Sequence, residues 1–235
     1  MVAVGLIPAR GGSKGIGRKN ITPVAGKPLL AWTAAAALTS QRLAGAILST
    51  DDEEIAAVGV ACGLEVPFLR PAALASDTAA SIDVVIHAVE WLERHHRPAD
   101  VIVLLQPTSP LRTAADIDGA LLALDSSDDA SSVVSVARVP AHFAPDWQLC
   151  LGPTNELRLL DDRPLSGIVK QRQLLPTTFY RNGAVYAVRR EVLKSQRSLY
   201  GDRCVGYVMP SERSVNIDTV EDLAEAERLL LRRHS

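Results

Sequence analysis

Between Ile7 and Asn20 the chain reads IPARGGSKGIGRKN, which sets Gly11, Gly12, Gly15 and Gly17 among Arg10, Lys14, Arg18 and Lys19 directly after an apolar run. Glycines let backbone amides approach phosphate oxygens, while a guanidinium offers a planar fork and an ammonium a point charge. Such a loop suits a triphosphate, with Gly12 and Lys14 as candidate contacts at its centre. Two familiar phosphate loops do not fit. No glycine has the spacing of G-x-x-x-x-G-K-[ST], and Gly15-Ile16-Gly17 is followed by Asn20 where a dinucleotide fingerprint needs its third glycine. A solvated basic turn is the plainer alternative.

Later stretches carry further polar groups at ordered spacings. LRPAALASDTAAS puts Arg70 at a strand end and Ser76, Asp77, Thr78 and Ser81 around a helix start, where Asp77 or Thr78 is the expected cap. LQPTSPLR closes an apolar strand, and Pro107 and Pro110 fix the turn that holds Gln106 where open α/β sheets bind ligands. Thr108, Ser109 and Arg112 serve either that turn or a ligand. RNGAVY offers Asn182 and Tyr186 on one strand face if its alternation holds, or else two polar groups satisfied within a half-buried strand. In SVNIDTVEDL a period of two puts Asn216 and Asp218 on the same side, where their oxygens suit a hard divalent cation. The histidines form no H-E-x-x-H pattern, and no nucleophile with its base is legible.

These groups need a scaffold, and the hydrophobic pattern supplies one. Short apolar runs (VAVGLIPA, GAILSTD, EVPFLR, DVIVLLQPTSP, SSVVSVARV) read as strands and alternate with helical stretches, as in a mostly parallel sheet covered on both faces. DVIVLLQ lacks polar alternation and reads as a central strand. Residues 140–178 break the rhythm with many prolines, which marks an inserted arm or hairpin. FYRNGAVYAVRR and CVGYVMP resume as strands. TVEDLAEAERLLLRR follows as a helix capped by Thr219 with Asp222 at capping-box spacing. At 235 residues, with a net charge of −2, the chain is expected to form a single domain, 1–235, without an electrostatic case for nucleic acid or a membrane surface. No leader or spanning run is legible, which makes the cytoplasm the default expectation. Cys62, Cys150 and Cys204, odd in number and far apart, are expected to be buried small apolar residues.

Taken together in this order, IPARGGSKGIGRKNI, RPAALASDTAAS, LQPTSPLR, RNGAVY and SVNIDTVEDL resemble the CMP-acylneuraminate synthetases, from Val2 to about Glu227. The resemblance implies a Rossmann-like nucleotidyltransferase α/β fold, CTP as co-substrate and Mg²⁺ (or Mn²⁺). It also implies transfer of CMP to the anomeric hydroxyl of a nonulosonic 2-keto sugar acid, with loss of pyrophosphate. By the same resemblance, Arg10 and Lys19 hold the triphosphate, Asn20 lies near the nucleotide sugar, and Arg70, Ala79 and Ser81 line the cytosine pocket. Gln106, Asn182 and Tyr186 match sugar-binding positions, and Arg172 matches an arm residue that reaches the substrate, in several members across a subunit interface. A homodimer joined through the 140–178 arm is implied as well. One position departs from the family: where its pattern is D-I-D, this chain has Asn216-Ile217-Asp218. Asp218 is then the principal metal ligand and Asn216 a weaker or water-mediated one. Two alternatives stand beside this reading: a cytidylyltransferase for legionaminate, pseudaminate, an octulosonate or a phosphonate, and a nucleotide-binding module that has lost turnover.

Overall fold

The apolar run before the basic loop forms β1 (Ala3–Pro8), and after the loop a small antiparallel pair, β2 (Pro23–Val24) and β3 (Lys27–Pro28), leads into α1 (Leu29–Leu38). The computed structural model describes residues 1–12 and 15–233. Along the chain follow β4 (Gly45–Ser49), α2 (Glu53–Ala61), α3 (Ser81–Arg94), β5 (Val101–Leu104), α4 (Ala114–Asp125) and β6 (Ser132–Arg138). Then come the short strands β7 (Leu149–Leu151) and β8 (Leu157–Leu159), the long β9 (Phe179–Arg189), α5 (Arg190–Gln196), β10 (Cys204–Val208) and α6 (Val220–Arg233).

Six of these strands make one sheet in the order β10-β6-β9-β5-β1-β4. β4, β1 and β5 run parallel, β10 is parallel to β6, and β9 is antiparallel to β5. All four residues of β5 are buried, as the unbroken apolar run requires of a strand packed on both sides. Period two divides the core. Ala3 and Ile7 of β1 and Val101 and Val103 of β5 pack with Leu30 of α1 and Ile117 and Leu121 of α4. Leu6, Ile102 and Leu104 face the other way, onto Val85, Val89 and Leu92 of α3 and Leu193 of α5. Each such side chain taken fully from water contributes roughly 1.5–3 kcal/mol. A third cluster joins Val24, Leu29 and Leu111 to Ile217 and to Ala226 and Leu230 of α6, which pins the Asn216–Asp218 segment by its middle residue.

Contacts divide the chain into two compact units, Met1–Val136 with Arg181–Ser235, and Ala137–Tyr180. Within the second, β7 and β8 form an antiparallel hairpin among short 3-10 turns, and Trp147 Nε1 donates to the Val169 carbonyl at 2.6 Å.

Local expectations fared unevenly. Asp52 caps α2, and Thr113 with Asp116 forms a full capping box on α4, but α3 begins after Ala80 without a side-chain cap. EVPFLR makes only two isolated bridges, Glu65 with Ile47 and Leu69 with Thr50, because Pro67 between them has no N–H to give a ladder. Cys150 and Cys204 are exposed and Cys62 is half-buried, its thiol pKa raised by desolvation. Cys150 lies on a two-stranded hairpin, and Cys204 lies on the edge strand β10, on the face opposite Val205 and Tyr207, which pack against the core. Among the described residues no helix is long and apolar enough to cross a membrane.

Candidate active site

The loops that leave β1 and β5 enclose, with the 70–81 segment and the 216–218 segment, a cavity of about 560 Å³. Arg10, Lys19 and Asn20 come to its wall from the basic loop. Asn20 is buried and donates from Nδ2 to the Arg10 carbonyl at 2.9 Å, which closes the loop on itself. The Arg10 guanidinium pairs with Asp77 at 2.9 Å and donates to the Ser76 carbonyl at 3.1 Å. Asp77, expected with Thr78 as a candidate helix cap, instead pairs with Arg10, and α3 starts at Ser81, beyond both. Ser76 and Asp77 share this wall with Ala79 and Ser81.

Arg70 is buried, and its desolvation lowers its pKa, a shift that Asp51 opposes and Arg10 reinforces. Asp51 Oδ1 stands 3.5 Å from the Arg70 guanidinium and accepts the Gly11 N–H at 3.1 Å. One carboxylate therefore ties the start of the glycine loop to Arg70. Sequence reasoning passed over Asp51; the available signal was an acid directly after β4, at the carboxyl edge of the sheet.

The two ends of the chain meet at this cavity. A Cβ on Gly15 would stand 2.7 Å from the Asp218 carbonyl oxygen, so only glycine lets the loop pass. Lys19 Nζ donates to the Ile217 carbonyl at 2.8 Å and stands 3.6 Å from Asp218 Oδ1. Gln106, Pro107 and Thr108 supply the wall beyond β5, and the Thr108 carbonyl accepts the Ile217 N–H at 2.8 Å. Arg112, left open between turn and ligand, is fully inside. It donates to the carbonyls of Gln106 (3.2 Å) and Ala184 (2.6 Å) and to Thr33 Oγ1 (2.7 Å). It fastens the Gln106 turn to β9.

Asn216 and Asp218 both line the cavity, with Ile217 pointing into the core between them, as period two requires. Asn216 Nδ2 donates to Asp218 Oδ2 at 2.7 Å, while Asn216 Oδ1 is buried and has no hydrogen-bond partner among the described residues. An orphaned amide oxygen beside an exposed carboxylate fits a hard cation that takes most of its shell from phosphates and water. No cluster of three or more His, Cys, Asp or Glu side chains accompanies them among the described residues.

Other expected residues lie elsewhere. Gly12 is not part of the wall, and Lys14 lies outside the described residues. Arg172 belongs to the second unit, on a short 3-10 turn. Tyr186 packs in the core beneath α3, and Asn182 is enclosed with Ser135, Met209 and Ser214. The shared face expected for these two fails, since Met209 belongs to the core on the α1 side of the sheet. Gly183, at φ +77°, breaks the alternation between them.

Comparison with known proteins follows the same outline. The profile of a family described as Cytidylyltransferase matches residues 4–232. The chain is 33% identical over 231 residues to the CMP-N,N'-diacetyllegionaminic acid synthase of Legionella pneumophila, covering 98% of this chain and 97% of that protein. It is 30% identical over 220 residues to the N-acylneuraminate cytidylyltransferase of Escherichia coli O18:K1:H7, covering 92% of this chain but only 49% of that protein, so it spans about half the relative's length. Its fold is that of a solved CMP:2-keto-3-deoxy-manno-octonic acid synthetase complexed with CTP, with a TM-score of 0.75 at 18% identity over 99% of this chain and all of that one.

Proposed function

The chain belongs to the cytidylyltransferase family, and on that premise we propose that it transfers CMP from CTP to the anomeric hydroxyl of a nonulosonic 2-keto sugar acid, releasing pyrophosphate. The observation that carries this reading is the meeting of Arg10 and Lys19 with Asn216 and Asp218 around one cavity at the carboxyl edge of the sheet. Negative charge builds on the leaving pyrophosphate as the α-phosphorus is attacked. Cations already fixed in place, Arg10 by Asp77 and Lys19 by the Ile217 carbonyl, stabilise that state without reorganising. Arg70, held by Asp51, presents a donor fork that suits the acceptor edge of cytosine, and the small side chains of Ala79 and Ser81 leave room for a pyrimidine. Gln106, on its proline-fixed turn, meets the sugar. Mg²⁺ or Mn²⁺, taken by the oxygens of Asp218 and Asn216, would neutralise phosphate charge. The rest of the rate would come from orientation of the acceptor hydroxyl in line with the phosphate.

The acid itself is the finer question, since relatives at similar identity are named for N-acylneuraminate and for diacetyllegionaminate. A pseudaminate, an octulosonate and a phosphonate remain in the same class of acceptor. Residues Ala137–Tyr180 are proposed as the arm of a homodimer, bringing Arg172 to the substrate carboxylate. A second reading, a nucleotide-binding module without turnover, is favoured by one observation, the single carboxylate left where Asn216 stands.

Pyrophosphate release with CTP and a panel of such acids tests the main reading. Release with at least one acid, lowered about 10²–10³-fold in kcat/KM by Lys19→Ala, is the expected result. CTP binding without release under any acid selects the second reading.

A further inference from the structure

Arg18 is one of the four basic residues of the glycine loop, and a loop of that composition would be expected to spend it on phosphate. Its guanidinium points the other way. Nη1 and Nη2 donate to the two carboxylate oxygens of Asp52 at 3.3 and 3.2 Å, and Nη2 donates to Glu54 Oε2 at 2.5 Å. A two-point contact of this kind fixes the orientation of the guanidinium as well as its place. Asp52 Oδ1 also accepts the Ile55 N–H at 3.0 Å as the cap of α2, and this amide together with Arg18 holds the carboxyl below the usual aspartate value. None of Arg18, Asp52 and Glu54 lines the cavity.

Neighbouring contacts make this pair a clasp. Gly11, at the start of the loop, donates its N–H to Asp51 Oδ1 at 3.1 Å and runs so close to Asp52 that a Cβ would stand 2.7 Å from its Oδ2. The loop therefore begins against Asp51 and Asp52 and returns, at Arg18, to Asp52. Arg18 itself has φ 53° and ψ 33°, a left-handed state that residues with a Cβ disfavour. Its carbonyl accepts the Ile21 N–H at 3.0 Å and Thr22 Oγ1 at 3.3 Å, and its side chain adds the two carboxylates, so the turn is held from both sides. From that turn Lys19 goes to the cavity wall, where Nζ donates to the Ile217 carbonyl at 2.8 Å. Two consecutive cations are thus directed apart, one to the start of α2 and one to the site.

We propose that Arg18 is a positioning residue for the triphosphate: clasped by Asp52 and Glu54, it closes the glycine loop and sets Lys19 in place without touching the nucleotide. This rests on the reading above that CTP occupies the cavity. The test is CTP affinity by titration calorimetry for the wild type, Arg18→Gln, Asp52→Asn, their double variant and Arg18→Lys, beside the acceptor KM of each. Asp52→Asn keeps a side-chain oxygen for the Ile55 amide, so α2 retains its cap. Both neutral single variants are expected to weaken CTP binding about fivefold, the upper end for an exposed ion pair. The double variant should be no weaker than either, because the two share one contact. Arg18→Lys, which keeps a charge beside both acids, should recover part of the loss, and the acceptor KM should stay at the wild-type value. In about 0.5 M KCl the gap between the wild type and Arg18→Gln should close, since salt screens the pair. A direct phosphate contact has the opposite sign: Asp52→Asn would then free Arg18 and tighten CTP, and that result overturns the proposal. Wild-type CTP affinity in every variant, with only a lower melting temperature, overturns it in favour of a merely structural role. Failure of the wild type to bind CTP removes the functional reading itself, whereas normal binding in the variants removes only the clasp.

Discussion

Asn216 is the residue at which this chain departs most from the pattern it resembles, and its contacts say what the departure does. Its Nδ2 donates to Asp218 Oδ2 at 2.7 Å, so the amide both lacks a charge and occupies one oxygen of the neighbouring carboxylate. Hard cations prefer anionic oxygen, and a half-neutralised carboxylate is a poorer ligand. Asn216→Asp is therefore expected to lower the half-saturating Mg²⁺ concentration for pyrophosphate release about tenfold. An unchanged metal titration would remove Asn216 from the cation's shell. The types and spacing of Asn216, Asp218, Arg10 and Lys19 were all legible in the sequence. The orphaned state of Asn216 Oδ1 was not, since it depends on what the fold leaves unpaired around it.

At the level of elements, α4 carries a fully buried charge. Asp116 has no exposure, caps its own helix with Thr113, and takes a two-point contact from Arg213 at 2.6 and 3.0 Å. Burial raises its pKa, but the Arg213 guanidinium and the Thr113 amide and hydroxyl outweigh this and hold the carboxyl below the usual aspartate value. A depressed folded value means that the stability it brings is present above the unfolded pKa of about 3.9 and is lost as pH falls through the folded one. Arg213→Met should cost about 3 kcal/mol at neutral pH in urea unfolding, the lower end for a broken buried pair because Arg213 is partly open to solvent. The acid-dependent share of the loss seen in the wild type below about pH 4 should vanish with it. If the variant instead follows the wild-type pH profile, the pair does not govern acid stability. The capping box itself was readable from Thr113 and Asp116, but Arg213 lies 97 residues away and no local pattern announces it. The same limit applies to β9. Its apolar run marked a strand, whereas the left-handed Gly183 set Asn182 and Tyr186 on opposite faces.

For the whole molecule, the second unit poses the question of assembly. Phe143, Leu151 and Leu174 are 58, 66 and 65% exposed, an amount of open apolar surface that favours a partner surface. Sedimentation equilibrium is expected to give a dimer of about 50 kDa, twice the 25.2 kDa chain, and a monomer at micromolar concentration would end that proposal. Sequence by itself determined the alternation of strands and helices, the central place of β5 and the chemistry available in the glycine loop, because apolar period and residue type are local properties. Tertiary structure alone decided which of those groups meet. Gly15 closes on Asp218 across some 200 residues, Asp77 pairs with Arg10, Asp51 joins the glycine loop to Arg70, and Asn182 turns inward. Each of these is a contact between segments distant in sequence, and it exists only once the sheet has brought those segments together.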